Sequence, residues 1–189
     1  MPTKFDVSRK DVLVSADRRL KLDPARVLSN LPIMPYHHVA DVGCGPGFFA
    51  VPLAKYLFDG KLYAFDVQDE MLEATQQAFD AVRLTNVEVA KSKETKLPVE
   101  DETFDGVLIA FVLQEASRPK SLLKDIMRCL KPMGWLVVLE WYKLDTNGGP
   151  PVEQRIEESE LQKMAGELGF RFRHSQSMND GQYMHYYKK

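Results

Sequence analysis

Cysteine is almost absent from this sequence, which has only Cys44 and Cys129 among its 189 residues. Two cysteines cannot form a disulfide framework, and neither of them belongs to a spacing that is typical of metal ligands. We therefore expect no metal site, and a reducing, cytoplasmic environment.

The sequence also lacks a long apolar run and an excess of charge of one sign. Its N-terminal stretch MPTKFDVSRKDVLVSADRRLKL contains no apolar core, so we expect neither a secretory signal nor a membrane-spanning helix. The formal net charge is −2, which provides no general attraction to nucleic acid or to an anionic membrane. Composition leaves the oligomeric state open.

Apolar runs alternate with amphipathic segments, a pattern that is typical of an α/β protein. The predicted strands are 38–42, 61–66, 86–90, 104–110 and 134–141, and the predicted helices between them are 48–58, 69–83 and 118–130. A further helix is predicted at 158–168, and the Asp-Gly between the strand-like runs 170–177 and 182–188 predicts a hairpin. We expect a doubly wound, mostly parallel, seven-stranded sheet with helices on both faces and an antiparallel end.

The whole sequence, 1–189, fits a single domain. Within it we distinguish an N-terminal arm, a core, a loop rich in glycine and proline, and a C-terminal helix with the hairpin, at 1–23, 24–141, 142–157 and 158–189. The arm is too highly charged to add to the core, so it is either a frayed end or a lid over a ligand.

A turn rich in glycine follows the first predicted strand, in the stretch VADVGCGPGFFAVPLAK. A strand, a glycine turn and a helix are the means by which an α/β protein receives a nucleotide. The fingerprint of a dinucleotide site is G-x-G-x-x-G, whereas Gly43, Gly45 and Gly47 follow the spacing G-x-G-x-G. Phe48 stands at the place of the third fingerprint glycine, so the turn departs from the dinucleotide fingerprint and by itself leaves the nucleotide open.

Two acids near the turn indicate which nucleotide it is. Asp41 comes just before the turn, where a carboxylate would repel a pyrophosphate and would attract a ligand with a positive group. Asp66 ends the second strand, where a carboxylate can accept both ribose hydroxyls and would exclude a 2′-phosphate. A positive group, a ribose and no phosphate together describe S-adenosylmethionine.

Three segments resemble the successive motifs of the class I S-adenosylmethionine-dependent methyltransferases. They are DVGCGPG, AFDVQDEML and the long run LPVEDETFDGVLIAFVLQEASRPKSLLKDIMRCLKPMGWLVVLEW. They are most similar to the type 11 subgroup, which includes quinone-biosynthesis methyltransferases, and KFD…DRRLKLDP and EW…GGPPVEQRI are similar to a set of short prokaryotic methyltransferases. The resemblance implies a Rossmann-like fold, with S-adenosylmethionine as cofactor and S-adenosylhomocysteine as product.

The resemblance also implies which residues bind the cofactor. The glycines would let the backbone approach its methionine part, and Asp41 would hold the ammonium group directly or through water. In the wider family an acid meets the adenine amino group at the position that holds Lys93 here, so the adenine contact falls to backbone or hydroxyl groups nearby. The full predicted set is Asp41, Gly43, Cys44, Gly45, Gly47, Asp66 (ribose), Val67 and Met71 (adenine faces), Ser92, Lys93, Glu94, Ala110 and Phe111.

On the acceptor side, the resemblance implies that Ala110 and Phe111 line the sulfonium end of the cofactor. The element D/N-P-P-Y/F, which is typical of enzymes that methylate adenine or an amide nitrogen, is absent, and its absence argues against those acceptors. The weaker candidates for contact with the substrate are Gln114, Glu115, Glu140 and Tyr142.

The expected chemistry does not require a catalytic side chain. Methyl transfer from a sulfonium is an in-line displacement, so the enzyme supplies alignment and excludes water, and a general base is needed only when the acceptor must lose a proton. No triad is evident, and we predict no catalytic residue.

The sequence predicts a methyltransferase for a small molecule. Three alternatives stay open: a non-enzymatic cofactor-binding module, a nicotinamide-dependent oxidoreductase and a methyltransferase for protein or RNA.

Overall fold

The computed structural model describes residues 5–146 and 148–189. Residues 1–4 of the predicted arm and Asn147 of the predicted loop lie outside the described residues. Within the described part, seven strands form one sheet in the order β3-β2-β1-β4-β5-β7-β6. They are β1 (His38–Val42), β2 (Lys61–Asp66), β3 (Val87–Lys91), β4 (Phe104–Ala110), β5 (Leu130–Trp141), β6 (Arg171–Asn179) and β7 (Gln182–Lys188).

The direction of the strands confirms the predicted mixed sheet. β1 to β5 pair in parallel, β7 pairs antiparallel with β5, and β6 closes the hairpin against β7. The strand order reverses between β1 and β4, and ligands of such sheets bind at the carboxyl ends of the strands where this reversal occurs. The topology therefore places a ligand site beside the ends of β1 and β4.

Helices cover both faces of the sheet, because side chains of successive strand residues point to opposite sides. Val137 packs in one apolar cluster with Leu53 and Phe79, and Val138 packs in a second cluster with Leu122 and Leu161. The helices are α1 (Ala16–Lys21), α2 (Pro24–Leu28), α3 (Ala50–Tyr56), α4 (Asp69–Ala81), α5 (Pro119–Cys129) and α6 (Glu158–Glu167). No helix of the described residues is long and apolar enough to span a membrane.

The N-terminal segment differs most from the sequence-based expectation. A 3-10 helix at Val7–Val14 precedes α1 and α2, where no helix was expected. Asp23 caps α2 through its side chain, and Pro24 follows at the first helical position, which is a helix-start signal that the sequence does carry. Leu22 is buried, so the expectation that the arm adds nothing to the core is wrong at this residue.

The loop after β5 is folded around a single arginine. The guanidinium of Arg155 is buried, and it donates hydrogen bonds to the backbone carbonyls of Tyr142, Gly148 and Pro150. It also lies 5.2 Å from the centre of the Trp141 ring. The described part of the loop is therefore fixed on the end of β5.

Candidate functional site

The glycine turn is anchored to the end of β2. The amides of Gly43 and Cys44 donate to the carbonyl of Phe65 at 2.8 and 2.9 Å, and the amide of Gly45 donates to Oδ2 of Asp66 at 3.0 Å. Two neighbouring strand ends thus share one network of hydrogen bonds, and this network brings Asp66 to the turn.

The three glycines of the turn have positive φ angles of 75°, 52° and 91°, but they differ in what surrounds them. A Cβ at Gly43 would lie 2.1 Å from Cγ2 of Val112, so this glycine is required by packing against the loop after β4. A Cβ at Gly45 would meet only Leu13 at 3.7 Å, on the side of the cleft. Gly47 packs near α4.

Thr75 supports the turn from below and was missed by sequence reasoning. Its side chain is buried on α4, and its hydroxyl donates a hydrogen bond to the carbonyl of Gly45. The signal in the sequence is a polar residue on the inner stripe of a helix, four residues after Met71 and four before Phe79.

A cleft of about 960 Å³, including its open mouth, lies at the carboxyl ends of β1, β2 and β4. Its size is in the range that holds a cofactor. The structure brings most of the predicted cofactor set to its walls, namely Gly43, Cys44, Gly45, Asp66, Val67, Met71, Ser92, Lys93, Glu94, Ala110 and Phe111. Asp41 and Gly47 lie behind this surface.

Asp66 and the loop after β3 form one end of the cleft. Asp66 is buried, and its Oδ1 accepts a hydrogen bond from the amide of Gln68 at 3.0 Å. The amide of Ser92 donates to the carbonyl of Asp66 at 2.9 Å, and Glu94 accepts hydrogen bonds from Ser117. The predicted ribose and adenine contacts are therefore neighbours in space.

Asp41 is a buried acid beneath the turn. Its Oδ2 has no hydrogen-bond partner among the described residues, and its side chain is 1% exposed. Burial and the nearby charge of Asp66 raise the pKa of Asp41 to about 7, and Arg18 opposes this shift. An unpaired buried carboxyl is costly, so this site fits a ligand that brings a positive hydrogen-bond donor.

Cys44 is a thiol within this acidic surrounding. It is 5% exposed, and burial together with the charges of Asp41 and Asp66 raises its pKa well above the ordinary value. Nucleophilic attack by cysteine requires the thiolate, so the turn provides no cysteine nucleophile.

Phe111 forms the wall of the cleft next to β4. Its φ angle is 63°, an uncommon conformation for a residue other than glycine, and its amide donates to the carbonyl of Leu139 at 2.8 Å. Its ring lies 5.9 Å from that of Trp141. Backbone strain of this kind costs about 1–3 kcal/mol and is concentrated at binding and active sites.

The predicted acceptor residues are only partly brought together. Glu115 lines the cleft, whereas Gln114, Glu140 and Tyr142 are not among its lining residues. Glu140 shares the sheet face of Leu136 and Val138, since side chains alternate along β5. Its Oε1 accepts a hydrogen bond from the amide of Leu113 at 3.0 Å, and burial raises its pKa to about 8.

The outer wall of the cleft is the N-terminal arm, for which the sequence left a frayed end and a lid open, and none of whose residues was in the predicted site. Phe5, Leu13 and Arg18 line the cleft. The amide of Phe5 donates to Oε2 of Glu115 at 3.0 Å, and the carbonyl of Phe5 accepts from Nε2 of Gln68 at 3.2 Å. The arm thus bridges the loops that follow β2 and β4.

Comparison with known proteins identifies the family. Residues 40–138 match a family described as a methyltransferase domain. The crystal structure of an S-adenosylmethionine-dependent methyltransferase from Aquifex aeolicus is 33% identical with a TM-score of 0.93, over 98% of this chain and 99% of that chain.

A curated relative shows how far the likeness extends along the chain. Demethylmenaquinone methyltransferase from Bacillus mycoides (strain KBAB4) is 30% identical over 138 residues, which are 72% of this chain and 57% of the relative. The chain therefore spans about 57% of the length of the curated relatives that it matches.

The [4+2]-cyclase SpnF is 19% identical with a TM-score of 0.79, over 92% of this chain and 81% of that chain. At this identity the likeness concerns the fold alone, and the fold does not decide the reaction. Two other findings identify the family. The family model matches just over half of the residues, and the likeness to the Aquifex aeolicus protein extends over nearly the whole length of both chains. This chain belongs to the class I S-adenosylmethionine-dependent methyltransferases.

Proposed function

We propose that this chain binds S-adenosylmethionine in the cleft and catalyses transfer of its methyl group to a small molecule. The observation that supports this most directly is the pairing of the glycine turn with the acids Asp41 and Asp66 at the strand-order reversal. Oδ2 of Asp41 lacks a hydrogen-bond partner among the described residues, and the ammonium group of the cofactor supplies one directly or through water. A dinucleotide would bring phosphate charge to the same acids.

The proposed position of the cofactor follows the walls of the cleft. Asp66 receives the ribose hydroxyls, since a carboxylate accepts about four hydrogen bonds. Met71 and Val67 pack against adenine, and the loop of Ser92 to Glu94 meets its edge. The methionine part then crosses the glycine turn towards Phe111.

The cofactor supplies an activated methyl group, whose leaving thioether requires no proton. The chain's own part is to align the reactants and to exclude water. The N-terminal arm acts as a lid, which is supported by its hydrogen bonds to Glu115 and Gln68 on either side of the cleft. A titrating side chain is needed only where the acceptor must lose a proton.

We propose an acceptor with an apolar body, because Phe5, Phe48, Phe49 and Phe111 are among the residues that line the cleft. The curated relatives are named for demethylmenaquinone, which is a small molecule, and this supports a small-molecule acceptor here. The end of β5 contributes on the acceptor side through Trp141, whose ring lies 5.9 Å from that of Phe111. We place the reaction in the cytoplasm, which is supported by the two buried, unpaired cysteines.

Calorimetry of the purified chain tests this function. We expect micromolar or tighter binding of S-adenosylhomocysteine and no heat with NAD⁺, followed by turnover of radiolabelled S-adenosylmethionine with a panel of phenolic and quinol acceptors. Binding of NAD⁺ with no response to either sulfur nucleoside would contradict the proposal. Tight binding without turnover on any acceptor class would instead identify a cofactor-binding module.

A further inference from the structure

Arg18 places a cation in the lining of the cleft. It belongs to α1 in the arm, yet its guanidinium carbon lies 4.4 Å from the centre of the Phe48 ring and 5.6 Å from that of Phe111. The two aromatic rings orient the guanidinium plane by cation–π contact. The arm thus carries a positive group into the lining of the cleft, near the buried carboxyl of Asp41.

The hydrogen bonds of Arg18 leave most of its donors for a ligand. A guanidinium has five N–H donors, and among the described residues the recorded acceptor is the carbonyl of Leu13, at 2.8 Å from Nη1. Burial lowers the pKa of Arg18 to about 10, while the charge of Asp41 opposes that change. The guanidinium group is therefore charged and partly desolvated at neutral pH.

Arg18 lines the cleft, and the carboxyl of Asp41, buried beneath its wall, lies close enough for the two opposite charges to act on each other. An α-amino acid carries its ammonium and its carboxylate on the same carbon atom, so it matches such a pair. The planar guanidinium fork binds a carboxylate through two parallel hydrogen bonds. We propose that Arg18 is the carboxylate-binding residue of the cleft and that, with Asp41, it holds the amino-acid end of the bound nucleoside.

This inference rests on the proposed function and adds a consequence for the arm. Phe5 and Arg18 belong to the same N-terminal segment, so a ligand carboxylate on Arg18 stabilises the closed arm. A nucleoside without the amino-acid end binds the same cleft without gaining this contact. The arm thus distinguishes the cofactor and its product from shorter thionucleosides.

The test compares two ligands and three proteins by calorimetry. S-adenosylhomocysteine carries the amino-acid end, and 5′-methylthioadenosine lacks it. Arg18→Gln removes the charge and the fork, and Arg19→Gln on the same helix is the matched control, because Arg19 is exposed and does not line the cleft. Thermal denaturation of each variant without ligand checks that the fold is retained.

We expect Arg18→Gln to weaken binding of S-adenosylhomocysteine by about tenfold or more, since a paired charge-assisted contact is lost. Its affinity for 5′-methylthioadenosine should stay within about twofold of the unmodified chain. Arg18→Lys should recover part of the loss, because the charge returns without the fork.

Equal affinity of Arg18→Gln and the unmodified chain for S-adenosylhomocysteine would overturn the inference and would leave Arg18 facing the acceptor. An equal loss for both ligands would also overturn it, because the arginine would then serve the adenosine part or the fold. If the unmodified chain binds neither ligand, the proposed function itself fails, and that result is distinct from both of these.

Discussion

The inner wall of the cleft is continuous with the sheet, whereas its outer wall is a separate strap of chain. Gly43 and Cys44 on the inner wall bond to the backbone of β2, next to strands that are buried on both faces. The arm on the outer wall joins the rest through contacts such as Phe5 with Glu115, and its 3-10 helix has no buried residue.

This difference suggests separate roles for the two walls: the inner wall binds the ligand, and the arm controls entry of the ligand to the cleft. Local segments with few buried contacts open at lower free energy than core strands do. If the arm acts as the proposed lid, a ligand that enters the cleft needs the arm to move and the inner wall to stay in place. Changes in the inner wall should affect stability or affinity strongly, and changes at the arm's attachment should affect opening.

The largest effect is expected at Gly43. Gly43→Ala puts a Cβ 2.1 Å from Val112 at a positive φ, so we expect the free energy of unfolding to fall by about 2–4 kcal/mol in a urea titration. Gly45→Ala is the matched control with room for a methyl group, and it should lose only about 1–2 kcal/mol from the φ angle. Equal losses would mean that packing does not distinguish the two glycines.

A smaller loss, in affinity, is expected at Asp66. Asp66→Ala should weaken binding of S-adenosylhomocysteine by more than about tenfold, because hydrogen bonds to a charged group contribute about 1.5–3 kcal/mol each. Asp69→Ala, an exposed acid paired with Lys91, is the control and should bind normally. Calorimetry that gives the same affinity for both variants would remove Asp66 from the ribose site.

The protonation of Asp41 should appear as a pH dependence of binding. Its folded pKa of about 7 is raised above the unfolded value of 3.8, so the unliganded chain binds the extra proton and loses stability as pH rises between these values. The ligand ammonium favours the ionised carboxyl, so affinity should rise by about tenfold from about pH 6 to about pH 8.

Asp41→Asn is the matched variant for that experiment, since it keeps the shape of the side chain and cannot ionise. Its affinity for S-adenosylhomocysteine should be lower and nearly constant over the same range. A pH profile identical to that of the unmodified chain would assign the titration to another group.

The smallest effect is expected where the arm is attached. Glu115→Gln keeps an acceptor for the amide of Phe5 but removes the charge, so arm opening should increase only a few-fold. Hydrogen exchange of the amides of residues 5–14 measures this opening, and exchange in β1 serves as the internal reference. Unchanged exchange in the arm would mean that other contacts hold it closed.

Much of the core was predictable because its signals are local. The strands β1 and β2 begin and end where their apolar runs do, and the turn with Asp66 follows from short motifs. The start of β5 was not found: it begins at Leu130, because the chain pairs with Phe104 before an irregularity leads to Trp135 opposite Gly106. Pairing between distant segments decided that boundary, and sequence periodicity does not contain it.

The candidate site divides in the same way. The predicted contacts at Gly45, Asp66 and Ser92 lie on consecutive strand ends, and parallel strands bring such ends to one edge. Arg18 and Phe5 belong to a charged segment whose pattern resembles an exposed surface, so only their place in the fold assigns them to the cleft. Glu140 was predicted near the acceptor, but the alternation of side chains along β5 keeps it from the lining of the cleft.

By itself the sequence determined the doubly wound sheet, the glycine turn and the acids at the strand ends, because each depends on neighbours within a few residues of the chain. The tertiary structure alone decided that the arm lines the cleft, that the charge of Arg18 acts on Asp41 and that Oδ2 of Asp41 has no hydrogen-bond partner among the described residues. These features require segments that are far apart in the chain to meet, and the free energy of that meeting comes from the packed core.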